Sequence, residues 1–263
     1  MKAVILAGGF GTRLSEESHL RPKPMVEIGG KPILWHIMKL YSAHDVNEFV
    51  ICCGFKGYVI KEYFANYFLH TADVTFDLAN NSIEVHHKRA EPWKVTVVDT
   101  GEATMTGGRL RRVRSFVEDG TFCFTYGDGL ADVDIRALIA FHREQAEAHG
   151  IKATLTGVRA PGRFGVLRTS DADRDRVTAF EEKPTDGTGW INGGFFVLEP
   201  GAIDYIDGDE SIWEHEPVRA LCANNELSVY RHTGFWQPMD TLRERNLLNS
   251  LWEQGKAPWK RWD

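Results

Sequence analysis

Cysteine is scarce in this chain, which has four among its 263 residues. Cys52 and Cys53 are adjacent, Cys123 and Cys222 are isolated, and no two have the C-x-x-C spacing of zinc and redox motifs. Adjacent strand residues face opposite sides, so the first two cannot jointly close one site. We therefore expect four small buried apolar side chains in a reducing compartment rather than a disulfide framework.

Long apolar runs are also missing. No stretch approaches the roughly 20 apolar residues of a membrane-spanning helix. The apolar run from Ala3 to Ala7 is too short for the core of a signal peptide. We expect no membrane association and a cytoplasmic location.

An excess of positive charge is absent as well, because 31 Lys and Arg stand against 37 Asp and Glu, a formal net charge of -6. An acidic chain has no broad field that attracts a polyanion, so nucleic acid is not an expected partner. Any phosphate site must be built locally, from a few cations and oriented backbone amides. The 43% of hydrophobic residues is typical of a globular chain and excludes a disordered one.

Strand and helix patterns alternate along the chain. Continuous apolar runs at residues 2–7 and 49–53 are typical of strands covered on both faces, and residues 32–43 have apolar residues at helical spacing. These units predict an α/β fold with a mostly parallel sheet, and the shorter strands after residue 158 either extend that sheet or form a small lid on it. Asn80 and Asn81 separate two alternating runs and predict a hairpin turn. Because no repeat or linker interrupts the chain, we expect a single domain over residues 1–263.

A glycine-rich segment, Gly8-Gly-Phe-Gly-Thr-Arg13, follows the first strand directly. Glycines at the carboxyl end of a strand let backbone amides approach a phosphate. A dinucleotide-binding pattern would need glycine in place of Leu14, and a P-loop would need Gly-Lys-Ser/Thr, so neither is supported. A tight turn without a ligand is the alternative.

A lysine flanked by two prolines comes next. Pro22 and Pro24 restrict the backbone around Lys23. Together with Arg13, a fixed cation beside the glycine segment suits a triphosphate. The alternative is a solvated loop lysine.

Two aspartates are candidate magnesium ligands. Asp128 ends the strand at residues 122–126 between two glycines, and Asp240 lies far along the sequence. Magnesium takes one or two carboxylates together with phosphate oxygens. An Asx turn is the alternative for Asp128. For Asp240 the spacing alone favours a cap on a helix that starts near Thr241.

A charged segment further along the chain comprises Glu181, Glu182 and Lys183. Asn192 and Gly193 follow it after the next turn. An acidic pair accepts hydrogen bonds from sugar hydroxyls, and a neighbouring lysine can hold a monophosphate. An exposed, charged strand end is an equally good interpretation on local grounds.

In their order along the chain, these pieces resemble the sugar-1-phosphate nucleotidyltransferases. The segments 105–109 and 234–240 resemble the cytidylyl branch of that family. The matching segments span nearly the whole chain, at residues 2–14, 22–25, 30–35, 105–109, 126–129, 182–184, 191–195 and 234–240.

The resemblance implies a Rossmann-like, three-layer fold with a mixed, mostly parallel sheet and a small β/α extension. It implies a nucleotide-binding half at about residues 1–130 and a sugar-phosphate-binding half at about 131–263. It gives Arg13 and Lys23 catalytic roles. It assigns magnesium to Asp128 and Asp240, against the local interpretation of Asp240 as a helix cap.

The resemblance also implies two sets of substrate-binding residues. The nucleotide-binding positions are Leu6, Ala7, Gly8, Gly9, Gly11, Thr12, Arg13, Lys23, Thr104, Arg109 and Asp128. The sugar-phosphate-binding positions are Glu182, Lys183, Asn192 and Gly193.

The implied reaction is a magnesium-dependent cytidylyl transfer from CTP to a hexose 1-phosphate, glucose 1-phosphate in this branch, in the synthesis of bacterial surface sugars such as O-antigen and dideoxyhexoses. A homo-oligomer, often a hexamer, is implied as well. The nearest alternative is the same transfer with UTP or dTTP. A non-catalytic sugar-nucleotide-binding subunit ranks lower, because Arg13, Lys23 and both aspartates are present.

Overall fold

The structure is a computed structural model, which describes residues 1–9, 21–86, 90–159, 166–169, 175–181 and 189–262. Its α-helices are α1 (Ile33–Ser42), α2 (Gly57–Ala65), α3 (Thr106–Arg112), α4 (Ile135–His149), α5 (Glu216–Ala223) and α6 (Leu242–Glu253). Its strands are β1 (Lys2–Ala7), β2 (Glu27–Ile28), β3 (Lys31–Pro32), β4 (Glu48–Cys53), β5 (Asp73–Asp77), β6 (Ser82–His86), β7 (Lys94–Asp99), β8 (Phe122–Tyr126), β9 (Gly129–Ala131), β10 (Ala153–Val158), β11 (Val166–Thr169), β12 (Val177–Glu181), β13 (Trp190–Leu198), β14 (Leu227–Arg231) and β15 (Trp236–Pro238).

Seven strands form the central sheet in the order β7-β4-β1-β8-β13-β10-β14. Six of them run in the same direction, and β13 is antiparallel to both of its neighbours. Strands β11 and β12 extend the sheet beside the amino-terminal end of β13. The prediction of an α/β fold with a mixed, mostly parallel sheet is therefore confirmed.

Two apolar cores cover the two faces of this sheet. Along β1, Ala3 and Ile5 belong to the core beneath α1, α4 and α6, and Val4 and Leu6 belong to the core beneath α3 and α5. Because successive strand residues face opposite sides, a continuous apolar run is what a strand between two helical layers requires. This explains why the opening run of the sequence predicted a buried strand.

The predicted hairpin is β5 and β6, which pair with each other across a turn at Asn80 and Asn81. On one face the cross-strand pairs are Val74 with Val85 and Phe76 with Ile83. The side chains of Phe76 and Ile83 remain more than half exposed, at 53% and 57%. The hairpin thus presents an apolar face to its surroundings.

The four cysteines are all buried free thiols, as expected from their spacing. Among the described residues, no helix has the length and apolar character needed to cross a membrane.

His36 is a fully buried histidine on α1 with both ring nitrogens engaged. Its Nε2 lies 2.8 Å from the carbonyl oxygen of Ile28, and Trp259 donates from Nε1 to its Nδ1 at 3.3 Å. These contacts fit the neutral tautomer in which Nε2–H is the donor, because Nδ1 accepts a hydrogen bond from the indole N–H of Trp259. Burial, the largest cause, lowers the pKa of His36 from 6.5 to about 4.

We predict that His36 makes the fold sensitive to acid. Its folded-state pKa of about 4 lies below the unfolded value of 6.5, so the unfolded chain takes up this proton first as the pH falls. The contribution is intact above pH 6.5 and is lost progressively down to about pH 4. The free energy of unfolding should fall by about 3 kcal/mol over this window from His36 alone.

Denaturant unfolding at several pH values measures this effect. His36→Gln should flatten the dependence between pH 6.5 and 4, and His149→Gln, at an exposed position on α4, is the control. Equal slopes for the wild type and His36→Gln would contradict the assignment.

Candidate active site

An ammonium group between two carboxylates marks the site. Lys23 donates from Nζ to Asp128 Oδ2 at 2.7 Å and to Asp240 Oδ1 at 2.5 Å. Lys23 is only 8% exposed, so these ion pairs lie largely out of water, where charge-assisted hydrogen bonds are strong. Three side chains from distant parts of the sequence thus converge on one point.

A proline-bounded turn positions the lysine. Residues Lys23–Met25 form one turn of 3₁₀ helix, entered through Pro22 in an extended conformation. Met25 and Val26 then enter the core beneath α1 and anchor the turn. The backbone at Lys23 is therefore fixed on both sides, as the flanking prolines predicted.

A short two-stranded ladder brings the two aspartates together. Strand β9 begins directly after Asp128, and β15 ends two residues before Asp240, with Gly129 opposite Pro238. Met239 extends the pairing by donating its amide to the carbonyl of Asp128 at 2.8 Å. Neither strand was predicted from the sequence, yet their pairing places residues 128 and 240 side by side.

The cap of α6 is Thr241 rather than Asp240. Thr241 Oγ1 accepts from the amide of Glu244, and Glu244 Oε2 accepts from the amide of Thr241 at 2.9 Å, a capping box. This leaves the carboxylate of Asp240 to bind Lys23. The local interpretation of Asp240 as a helix cap is thus wrong.

A cavity of about 420 Å³ opens beside this ion cluster, at the carboxyl ends of β1 and β8. Its lining residues are Leu6, Ala7, Gly9, Lys23, Pro24, Thr106, Tyr126, Gly127, Asp128 and Glu214. In open α/β sheets this edge is where ligands bind. The structure thus brings Gly9, Lys23 and Asp128 to one cavity.

Close packing of the backbone explains the glycine before Asp128. Gly127 donates its amide to the carbonyl of Leu6 at 2.9 Å. A Cβ at this position would lie 2.5 Å from that carbonyl oxygen and 3.0 Å from Pro24 Cγ. Only glycine allows the lysine turn and β8 to approach each other this closely.

Arg109 lies beside Gly8 and is 4% exposed. Its guanidinium donates to the carbonyl oxygens of Gly8, Cys53 and Glu102, each at 3.0 Å, and to Thr100 Oγ1 at 2.9 Å. These acceptors follow or end β1, β4 and β7, so Arg109 ties three strand ends together. Thr104 is also buried, in the segment just before α3.

The electrostatic balance at Lys23 favours its charged form. Burial, the largest cause, would lower the pKa of Lys23, but the charges and hydrogen bonds of Asp128 and Asp240 outweigh it and raise the pKa above 10.5. One ammonium and two carboxylates leave a net charge of about -1. The cluster can therefore accept further positive charge.

The donor set fits a magnesium ion. Two carboxylates converge on one cationic position, and magnesium takes one or two carboxylates plus phosphate oxygens. Within the described ranges, no group of three or more His, Cys, Asp or Glu could hold a metal by itself. Phosphate groups of a substrate would have to supply the remaining ligands.

Asn192 and Gly193 lie on β13 near the same cavity. Asn192 Nδ2 donates to the hydroxyl of Tyr126, a cavity residue, at 3.3 Å. Gly193 accepts from Trp236 Nε1 at 2.7 Å through its carbonyl oxygen. The predicted positions Gly11, Thr12, Arg13, Glu182 and Lys183 lie outside the described residues.

Sequence reasoning missed three polar residues of the cavity, Thr106, Tyr126 and Glu214. Thr106 donates from Oγ1 to Glu214 Oε2 at 2.8 Å, across 108 residues of sequence. The only local signal was the position of Tyr126, next to Gly127 and Asp128. Burial, the largest cause, and the nearby Glu214 raise the pKa of Tyr126 well above 10, so its hydroxyl remains protonated.

The chain is similar to known proteins over its full length. The family model described as nucleotidyl transferase matches residues 2–237. Glucose-1-phosphate cytidylyltransferase of Salmonella typhi is 63% identical, and the alignment covers all of both chains. A probable glucose-1-phosphate cytidylyltransferase of Bacillus subtilis (strain 168) is 44% identical, again with full coverage of both.

Among solved structures, a putative glucose-1-phosphate thymidylyltransferase from Bacillus anthracis, in complex with a sucrose, shares the fold with a TM-score of 0.75. It is 19% identical, and the match covers 95% of this chain and 94% of the other.

Proposed function

The chain belongs to the nucleotidyl transferase family, and from this premise we propose that it transfers a cytidylyl group from CTP to glucose 1-phosphate, giving CDP-glucose and pyrophosphate. The observation that carries the proposal is the ammonium of Lys23, held between two carboxylates at the edge of a cavity of suitable size. The full-length relatives named above supply the choice of CTP and glucose 1-phosphate.

The reaction needs no general base. A phosphate monoester has a second pKa of about 6, so the attacking phosphate oxygen is already ionised at neutral pH. That oxygen forms a bond to the α-phosphorus of CTP, and the bond from the α-phosphorus to the bridging oxygen breaks to release pyrophosphate. No proton has to move between protein and substrate.

The difficulty of the reaction is the crowding of negative charge. Two unit charges 4 Å apart interact by about 4 kcal/mol at an effective dielectric constant near 20. Lys23 lies where it can offset this repulsion at the phosphates, and Arg13 and Lys183 are the further cations that we propose. Catalysis then consists of positioning and electrostatic stabilisation.

Magnesium completes the proposal. Asp128 and Asp240 would hold it, and when bound it would neutralise phosphate charge and align the phosphates. The first glycines would bind the triphosphate through backbone amides, with Arg109 holding Gly8. Asn192 and Gly193 would lie beside the glucose moiety.

We also propose a cytoplasmic homo-oligomer, with a hexamer as the assembly suggested by the family resemblance. The four free thiols favour a reducing compartment. The apolar face of the β5–β6 hairpin supports self-association, since an isolated two-stranded hairpin is at best marginally stable in water. Leu78, beside that face, is 90% exposed.

We predict that pyrophosphate release requires CTP, glucose 1-phosphate and magnesium together. The test is a matrix of CTP, UTP, dTTP and GTP against several hexose 1-phosphates, each with and without magnesium. Asp240→Asn should raise the magnesium concentration needed for half-maximal rate, because it removes one carboxylate. No turnover with any pair would contradict the proposal, and faster turnover with UTP or dTTP would reassign the base.

We predict that the protein self-associates through the apolar face of the β5–β6 hairpin. Light scattering should then give a mass of at least twice the 29.8 kDa of one chain. Combined Phe76→Ser and Ile83→Ser should lower that mass, because the two substitutions remove the centre of the apolar face. Glu84→Gln on the opposite face is the control and should leave the mass unchanged. A monomeric wild type would contradict self-association.

A further inference from the structure

Glu214 is a carboxylate in the active-site cavity that neither the ion cluster nor the proposed reaction uses. It lies just before α5 and lines the cavity together with Thr106 and Tyr126. It is half-buried, and the hydroxyl group of Thr106 donates a hydrogen bond to it. An anion inside a cavity proposed to bind phosphates needs a specific role.

The hydrogen bonds around Thr106 run in one direction. The amide of Trp213 donates to Thr106 Oγ1 at 2.9 Å, so that oxygen is already an acceptor. The Thr106 hydroxyl then donates its hydrogen bond to Glu214 Oε2 at 2.8 Å. Because a hydroxyl has one proton, Thr106 has none left for a ligand.

The Tyr126 hydroxyl also accepts a hydrogen bond. Asn192 Nδ2 donates to the Tyr126 hydroxyl at 3.3 Å, and the nearby Glu214, after burial, raises the pKa of that hydroxyl. Asn192 is itself fixed, since its Oδ1 accepts from the amide of Gly194 at 2.8 Å. The Thr106 hydroxyl thus donates to Glu214, and the Tyr126 hydroxyl, which already accepts from Asn192, lines the same cavity with its own proton still to donate.

The carboxylate of Glu214 thus remains a hydrogen-bond acceptor. An ionised carboxylate has about four lone-pair positions, of which the Thr106 hydroxyl fills one. The remaining positions can accept from a ligand but cannot donate to it. A phosphate group would be repelled there.

From this arrangement we propose that Glu214 is a specificity-determining residue, whose carboxylate accepts a hydrogen bond from an N–H or O–H donor on the neutral part of a substrate. The inference rests on the proposed function for the substrates concerned. Two groups offer this chemistry: the exocyclic amine of cytosine and a hydroxyl of the hexose. Thr106 acts through Glu214 as a positioning residue.

The test is a cycle that combines a protein change with a substrate change. Glu214→Gln keeps the shape but removes the charge, and kcat and KM are measured for CTP against UTP. The same is done for glucose 1-phosphate against analogues that lack or invert one hydroxyl, such as 2-deoxyglucose 1-phosphate and galactose 1-phosphate. The UTP arm tests the amine, since UTP has a carbonyl in its place, and the sugar arm tests the hydroxyls.

We expect Glu214→Gln to lower kcat/KM about tenfold or more with the substrate whose donor is bound, mainly through KM. With the analogue lacking that donor, the additional loss should be small, because the two changes remove the same interaction. Equal losses with every analogue would show a purely structural role and overturn the proposal. An unchanged kcat/KM would overturn it as well.

Two further measurements keep the test decisive. Glu210→Gln, at an exposed carboxylate in the same segment, is the matched control and should behave like the wild type. If Glu214→Gln does not fold, Glu214→Asp retains the charge but shortens the side chain, and the cycle is run on that variant.

Failure of the proposed function remains distinguishable from failure of this inference. If the wild type makes no CDP-glucose, the proposed function fails. The same cycle is then run on binding affinities, measured by calorimetry with the same nucleotides and sugar phosphates. If Glu214→Gln and the substrate change lower the affinity additively for every ligand, the proposed role of Glu214 is overturned.

Discussion

The structure of the site depends on one buried ammonium shared by two carboxylates. Lys23, Asp128 and Asp240 come from three separate segments. The ion pairs between them offset the cost of partly removing each charge from water. The lysine turn, the end of β8 and the β9–β15 ladder are therefore fixed relative to one another. The three charged side chains are thus held together beside the cavity before any substrate arrives.

Two groups of polar residues lie on opposite sides of β8 at one edge of the sheet. The parallel strands β1, β4 and β7 end near Gly8, where Arg109 ties them together. The antiparallel strand β13 supplies Asn192 on the other side of β8. Under the proposed function, cationic groups near Lys23 would meet the phosphates, whereas the carboxylate of Glu214 would meet the neutral parts of the substrates.

Local sequence patterns predicted the elements whose causes are local. The buried strand β1, the hairpin at Asn80 and the fixed backbone at Lys23 follow from apolar runs, turn residues and prolines. The local interpretation failed for Asp240, because its position depends on a three-residue pairing between β9 and β15, too short to leave a periodic signal. Glu214 was missed for a similar reason, since its contacts with Thr106 and Tyr126 arise only from tertiary packing.

Turnover of Lys23→Ala is the measurement that tests the role of the shared ammonium most directly. With saturating CTP, glucose 1-phosphate and magnesium, kcat should fall at least about tenfold, because a cation that offsets charge in the transition state is lost. Lys256→Ala, at an exposed position, is the control, and thermal unfolding verifies that both variants are folded. A folded Lys23→Ala variant with near-normal kcat would contradict the account.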